Sequence, residues 1–288
     1  MARVNIYIIA PNVSAMTLKK LVLHILMTVS AVIFLSGCDM MDYHPYDTRF
    51  SGARNINAEN VRRIEQATAG RKQLCFAVMS DTQRWYDATH KIVDHINATE
   101  GVDFVIHCGD LTDFSLTEEF VWMRDELQRL RVPYVVTLGN HDCLGTGKTV
   151  FSEMFGAFEY SFTAGNTHFA VINTNGLEFT SGAGFFGASF LYNNYKSLPV
   201  ATERTVVVMH VPPGSDQFPM EHTHGYLEAL EPYPAMLFAV CGHEHSTVVR
   251  HPFDDGVPYY QVACADKRSY LLFHLNADGT YDYEEILL

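Results

Sequence analysis

Residues 74–83 read Leu-Cys-Phe-Ala-Val-Met-Ser-Asp-Thr-Gln, six apolar positions that stop at a polar run. An apolar stretch of this length, bounded so sharply, is the pattern of a strand buried on both faces. The same design recurs twice. Asp103 to His107 leads into Gly109-Asp110-Leu111-Thr112-Asp113, and Pro133 to Leu138 leads into Gly139-Asn140-His141-Asp142. Between these runs lie two helical patterns, Tyr86 to Ala98 and Thr117 to Leu130. Strand–helix alternation at roughly 30-residue spacing is βαβ geometry, so the three strands are expected to be parallel.

Upstream, Ala58 to Ala69 has a helical period with Val61, Ile64 and Ala67 on one face. Downstream the strands come closer together. Tyr160 to Thr163 and His168 to Asn173 read as a hairpin with Asn166 near its turn. Thr205 to Met209, Leu237 to Cys241, Tyr259 to Cys264, Tyr270 to Leu275 and Tyr281 to Leu287 complete the set, with Asp278-Gly279 as a further turn. Gly176 to Pro199 and Pro212 to Pro234 read as long irregular segments. The expected class is α/β: two sheets packed face to face with helices outside.

Ligands gather at the carboxyl ends of parallel strands. Here five such ends carry donor side chains. Asp81 and Gln83 follow the first strand, Asp110 and Asp113 the second, Asn140 and His141 the third. His210 follows a fourth, and His243 and His245 a fifth. Residues i and i+2 of extended chain share a face, so Asp81 is expected to point with Gln83, and His243 with His245. Each fragment alone is weak, since a lone Gly-Asp is an ordinary loop and a lone histidine an ordinary core residue. Order and placement give them weight. Mixed oxygen and nitrogen donors suit a pair of first-row metal ions.

The set resembles the calcineurin-like metallophosphoesterases, whose motifs run D-x-H, G-D-x-x-D, G-N-H-D/E, H and G-H-x-H, over roughly Leu74 to Leu288. The resemblance implies a four-layer α/β/β/α fold, a two-sheet sandwich flanked by helices, hydrolysing a phosphoric ester at two metal ions. Carried over position by position, Asp110 bridges the metals. Asp81 and His245 hold the first, with Gln83 where the family has histidine. Asn140, His210 and His243 hold the second. His141 is the acid facing the leaving group, oriented by Asp113. Two divalent ions against Asp81 and Asp110 leave a surplus of about two positive charges, which binds phosphate and lowers the pKa of a shared water towards ~7. A positioned histidine then supplies the leaving oxygen with its proton. An amide oxygen at Gln83 favours manganese, with iron or zinc as alternatives. The expected substrate is small and phosphorylated: a phosphomonoester, a phosphodiester or a nucleotide pyrophosphate. A metal-binding lipoprotein without catalysis is disfavoured because both His141 and Asp113 are present. A nuclease of the same superfamily is disfavoured by charge.

That charge is −13 over 288 residues. It offers no basic surplus to displace counterions, so no nucleic-acid partner is expected. The N-terminus is informative. Lys19 and Lys20 precede the apolar run Leu21 to Phe34, which ends in Leu35-Ser36-Gly37-Cys38. This is the layout of a secretory signal, and the last four residues resemble a bacterial lipobox whose cysteine is lipidated. The alternative, an uncleaved span, needs ~20 apolar residues, and the run is shorter. The expected organisation is a signal at 1–37, with Met16 a possible true start, a tether at 38–57 and a catalytic domain at 58–288. The protein is then an exported lipoprotein, membrane-anchored through Cys38 on the periplasmic face or the cell surface. Of the remaining cysteines, Cys75, Cys108, Cys241 and Cys264 read as buried thiols, and Cys143 as structural. His222 and His224 are read as loop or substrate-contact residues. Trp85 and Tyr86 either line a substrate pocket or simply pack.

Overall fold

The computed structural model describes residues 18–36, 44–176, 187–218 and 223–288. The chain divides into two units, Met1–His44 and Pro45–Leu288. The first contains helix α1 (Leu18–Ser36). No described helix is long and apolar enough to cross a membrane. Cys38 lies outside the described residues.

The second unit is built on two sheets. Strands β1 (Leu74–Met79), β2 (Phe104–His107) and β3 (Tyr134–Val136) are parallel neighbours. Antiparallel β10 (Ser269–Leu275) and β11 (Tyr281–Leu287) extend them, in the order β11-β10-β1-β2-β3. The second sheet runs β4-β5-β6-β7-β9-β8. It comprises β4 (Tyr160–Ala164), β5 (Thr167–Val171), β6 (Arg204–Val208), β7 (Met236–Cys241), β8 (Val248–Arg250) and β9 (Tyr259–Gln261).

The sheets meet across an aromatic core. Phe76, Phe104, Phe162, Phe169, Phe238 and Phe273 are buried between them. Phe76 stacks on Phe104 at 5.1 Å, and both meet Phe169 edge-on at 5.4 Å. Such contacts add to the ~1.5–3 kcal/mol that burying each ring contributes. Outside the first sheet pack α3 (Tyr86–Ala98), α4 (Thr117–Leu127) and α5 (Gly147–Met154). In α3, Ala88, Ile92, Val93 and Ile96 are buried at helical spacing. At the start of α4, Glu119 Oε2 accepts from the backbone N–H groups of Phe114 and Leu116, satisfying two donors near the helix entry. Outside the second sheet pack α6 (Ala188–Tyr195) and α7 (Thr223–Leu230). Four layers result, α/β/β/α.

Two buried features tie the sheets together. Arg204 donates to Lys72 O, Asn276 O and Asn166 Oδ1 at the amino end of β6. At the carboxyl ends, a single bridge joins Ser80 to Cys264. Residues 45–57 run along the helical side: Thr117 Oγ1 donates to Asp47 O, Arg124 to Ser51 O, and Phe50 packs on the core. Helix α2 (Ile56–Thr68) begins two residues earlier than its period suggested, because Asn57 is drawn in. Asn57 Oδ1 accepts from Val136 N at 2.9 Å and its Nδ2 donates to Val136 O at 3.0 Å; Asn60 Nδ2 donates to Tyr134 O. These bonds fill the open side of β3.

Two expectations are corrected here. Gly176 to Pro199 contains α6, and Pro212 to Pro234 contains α7. Each buries only one or two side chains, so the apolar period is too sparse to read. Residues 177–186 and 219–222, His222 among them, lie outside the described residues. His224 is exposed on α7. Helix α5 and the three-residue edge strand β8 were not anticipated.

Candidate active site

The donor side chains stand where β1, β2, β3, β6 and β7 end, but the backbone delivers them differently from the extended geometry expected. Eight non-glycine residues among those described have positive φ, and five of them are candidate ligands: Asp81 (51°), Gln83 (37°), Asp110 (55°), His243 (80°) and His245 (55°). The chain turns left-handed at each, so Asp81 with Gln83, and His243 with His245, are aimed by turns and not by strand pleat. Such conformations cost on the order of 1–3 kcal/mol each and persist only where the surroundings hold them. Two motif glycines do part of that holding. A Cβ on Gly139 would collide with Asp110 N and Oδ1, and one on Gly242 with Ser80 Oγ and Asp81 Oδ2. Glycine is required there so that two strand ends can touch.

Ligand atoms of Asp81, Asp110 and His210 all lie within 4.8 Å of one another, and all three residues are buried. His210 Nδ1 stands 2.7 Å from the Cys108 carbonyl, which only accepts, so Nδ1 carries hydrogen. Its Nε2 faces the site, 2.9 Å from Asn140 Oδ1 and 3.3 Å from Asp110 Oδ1. His243 Nδ1 meets the same Asn140 oxygen at 3.1 Å. On the other side, His245 Nε2 stands 3.3 Å from Asp81 Oδ1, while Asp81 Oδ2 accepts from His243 N–H at 3.0 Å. Gln83 is buried with Nε2 3.4 Å from Asp110 Oδ2. The expected ligands thus form one cluster around Asp110.

A family model, calcineurin-like phosphoesterase, matches residues 75–247, which is more than half of the chain. The chain belongs to the calcineurin-like phosphoesterase family. It is a hydrolase of phosphoric esters. Solved structures agree in fold. GAP50, the anchor in the inner membrane complex of Plasmodium, gives a TM-score of 0.57 at 15% identity, over 75% of this chain and 84% of that one. Purple acid phosphatase PPD1 from yellow lupin (Lupinus luteus) seeds gives 0.57 at 15%, over 75% and 54%. PhoD gives 0.53 at 13%, over 73% and 65%. At these identities the likeness is one of fold, and the phosphoesterase spans little more than half of the lupin enzyme. No curated protein matches it by sequence.

The family implies a binuclear metal centre, and the residues of this phosphoesterase fit one. Asp81 Oδ1 is fully buried and makes no well-formed hydrogen bond, its facing partner being His245 Nε2 at 3.3 Å, an expensive state for a carboxylate unless positive charge completes it. Two of the histidines, His210 and His245, report the same demand for positive charge, whereas burial and the neighbouring His210 pull His243 down. Burial alone would pull His210 down, but Asp110 raises it to about 9. Pairing with Asp81 raises His245 to about 10. Burial pushes Asp110 up, and the neighbouring His210 and His141 bring it below the usual carboxylate range. Both raised histidines turn Nε2 toward a carboxylate of the cluster, His210 toward Asp110 and His245 toward Asp81.

His141 sits at the outer edge of this cluster, partly exposed, with its N–H donating to Asp110 Oδ1. Its orientation is not set as expected. His141 Nδ1 donates to the main-chain oxygen of Asp113 at 2.8 Å, and the Asp113 carboxylate instead holds Arg84 at 2.6 Å. Asp113 therefore positions His141 through its carbonyl. This fixes the tautomer and leaves Nε2 as the ring nitrogen for proton transfer.

Three supporting residues, Asp142, Ser115 and Arg84, escaped the sequence reading, and His107 supports the site as a core histidine. Asp142, fully buried, accepts from Leu111 N, Thr112 N, Thr112 Oγ1 and Gly139 N, and so locks the Asp110 loop to the Asn140 loop. Ser115 Oγ donates to His141 O and accepts from Leu144 N. His107 accepts from Gly109 N at Nδ1 and donates from Nε2 to Thr82, a neutral ring whose pKa burial drives down to about 3. Arg84 brings a guanidinium to the rim. Asp142 was quoted within its motif, and its Gly-Asn-His-Asp context was the available signal. Ser115 and Thr82 carried none. Cys75, Cys108, Cys241 and Cys264 are free thiols, Cys75 partly buried and the others buried, and buried Cys143 donates from Sγ to Gly139 O.

Proposed function

We propose that this phosphoesterase hydrolyses a small phosphomonoester, phosphodiester or nucleotide pyrophosphate, with His141 as general acid. The observation that carries the reading is the convergence of Asp81, Asp110, Asn140, His210 and His243 beside a partly exposed His141. Asn140, His210 and His243 would hold one metal ion, Asp81, Gln83 and His245 the other, and Asp110 both. When bound, the pair supplies Lewis acidity at the phosphoryl oxygens and lowers the pKa of a coordinated water. The chain's own residues do the rest. Asp142 keeps the two ligand loops in register. The Asp113 carbonyl holds His141 so that Nε2 passes a proton to the departing oxygen. Arg84, steadied by Asp113, offers a guanidinium to substrate charge at the rim. Manganese is the proposed metal because Gln83 adds an oxygen donor where imidazole would favour zinc. The test is turnover of a bis-aryl phosphodiester against an aryl phosphomonoester with added manganese. No turnover of either would overturn the reading.

Export and lipidation at Cys38 are proposed on the strength of Lys19-Lys20, the apolar run and the Leu-Ser-Gly-Cys end. Lipidated protein partitions into detergent, and Cys38→Ala should not. Equal partitioning of both forms would rule out the anchor.

A further inference from the structure

We propose that the cleft formed by Tyr46, Phe114 and Leu144 is the leaving-group subsite, and that it takes the apolar alcohol of the ester. This rests on the hydrolase reading above. The cleft has a volume of about 240 Å³ and is completed by Ser115, Leu116 and Thr146.

Its place in the fold ties it to the proton donor. Phe114 follows Asp113, whose carbonyl holds His141. Leu144 lies three residues beyond His141, and Ser115 Oγ joins His141 O to Leu144 N. The two apolar side chains therefore ride on the two loops that clasp the general acid. Because Nδ1 is taken, the proton leaves from Nε2. The oxygen that receives it carries the alcohol, and the cleft is built on the same two loops that hold the donor.

The lining says which alcohol. Phe114 is 62% exposed, Tyr46 63% and Leu144 39%. Single exposed apolar side chains are ordinary; three around one cleft give it an apolar lining. Tyr46 forms a fixed wall: a Cβ on Gly145 would come within 3.1 Å of its ring, and the strap carrying it is bonded to Thr117 and Arg124. Among the described residues no charged side chain lines the cleft, so a second phosphate there would find no partner among them. Charge is available at a different cleft, where Arg84 and Arg268 stand beside Trp85.

The test uses manganese-loaded full chain and linear alkyl esters from ethyl to octyl, in whichever ester class the assay above shows to turn over. Alkanols of this series are nearly equal as leaving groups, so chain length reports contact and not acidity. kcat/KM should rise about two- to fourfold per methylene until the cleft is filled. Phe114→Ala and Leu144→Ala should flatten that slope, and Phe114→Leu should restore part of it. Val200→Ala, an exposed valine near the amino end of β6, should leave it unchanged. Vesicles of phosphatidylcholine with phosphatidate form a second arm. Turnover there assigns the alcohol to a lipid, and turnover of soluble esters alone assigns it to a small alcohol. A flat slope in the wild type, or a slope unaltered in Phe114→Ala, overturns the subsite. Failure to cleave even the aryl esters would instead remove the hydrolase reading beneath it.

Discussion

Asp110 and Phe114 are four residues apart in one loop and obey opposite rules. Asp110 is 1% exposed, left-handed, and abutted by Gly139 so closely that no side chain fits between them. Phe114 is 62% exposed, with its backbone N–H donated to Glu119. Between them, at Asp113, the chain passes from a floor whose atoms are all specified by neighbours to a rim with freedom to vary. On the subsite proposed above, the floor carries the hydrolytic chemistry and the rim the selectivity, so substrate preference could change in the rim while the floor stays still.

The floor breaks hardest. Asp110→Asn removes the charge shared by both metal positions, and metal content and activity should fall to background together, by elemental analysis and assay on one sample. His141→Ala lies at the boundary. It should keep near-normal metal but lose ~10²–10⁴ in turnover, and less on a nitrophenyl ester, whose leaving group needs little protonation. Equal activity of this variant on a poor leaving group would reassign the acid. Metal loading itself should depend on pH. His210 and His245, raised to about 9 and about 10, keep their protons through neutrality. An ion must displace both, so affinity should weaken as pH falls, by up to about tenfold per unit for each proton. Calorimetry in buffers of different ionisation enthalpy would count those protons, and a count of zero contradicts the assignment. Gly139→Ala should cost about 1–3 kcal/mol by denaturant melt, as overpacking does, whereas Leu144→Ala on the rim should stay within about 0.5 kcal/mol. Gln83→His gives the finest contrast. It should tighten one position and shift preference from manganese to zinc. Unchanged titrations with both metals would show that residue 83 does not touch an ion.

Long, fully buried runs made β1, β2 and β3 legible before any coordinates, because strand and burial coincide in an unbroken apolar word. The ligands were legible for the same reason, as the polar residues that interrupt it. Their manner of convergence was not. Period-two reasoning assumes extended chain, and Asp81, Asp110 and His243 leave it at once; Gly109 and Gly242 beside the last two were the visible hint. The role of Asp113 was read from its carboxylate because sequence displays side chains, whereas the group at work is a carbonyl that every residue has. Helices α6 and α7 stayed hidden because Leu191, and Tyr226 with Leu230, are the only side chains they bury.

The paired bonds from Asn57 to Val136 carry a consequence for solubility. β3 is the last strand of its sheet, and an open strand edge is a template for another chain. Asn57 imitates a neighbouring strand with its amide, and Asn60 covers the next carbonyl. At the far edge, β11 guards itself with the outlying carboxylates of Asp282, Glu284 and Glu285. One edge is thus stoppered by a helix that precedes the whole sheet in sequence. A chain begun at residue 61 would keep every metal-facing residue and still lose that stopper. Concentration-dependent light scattering should then rise through edge-to-edge polymerisation, and Asn57→Ala should reproduce part of the effect in the full-length protein.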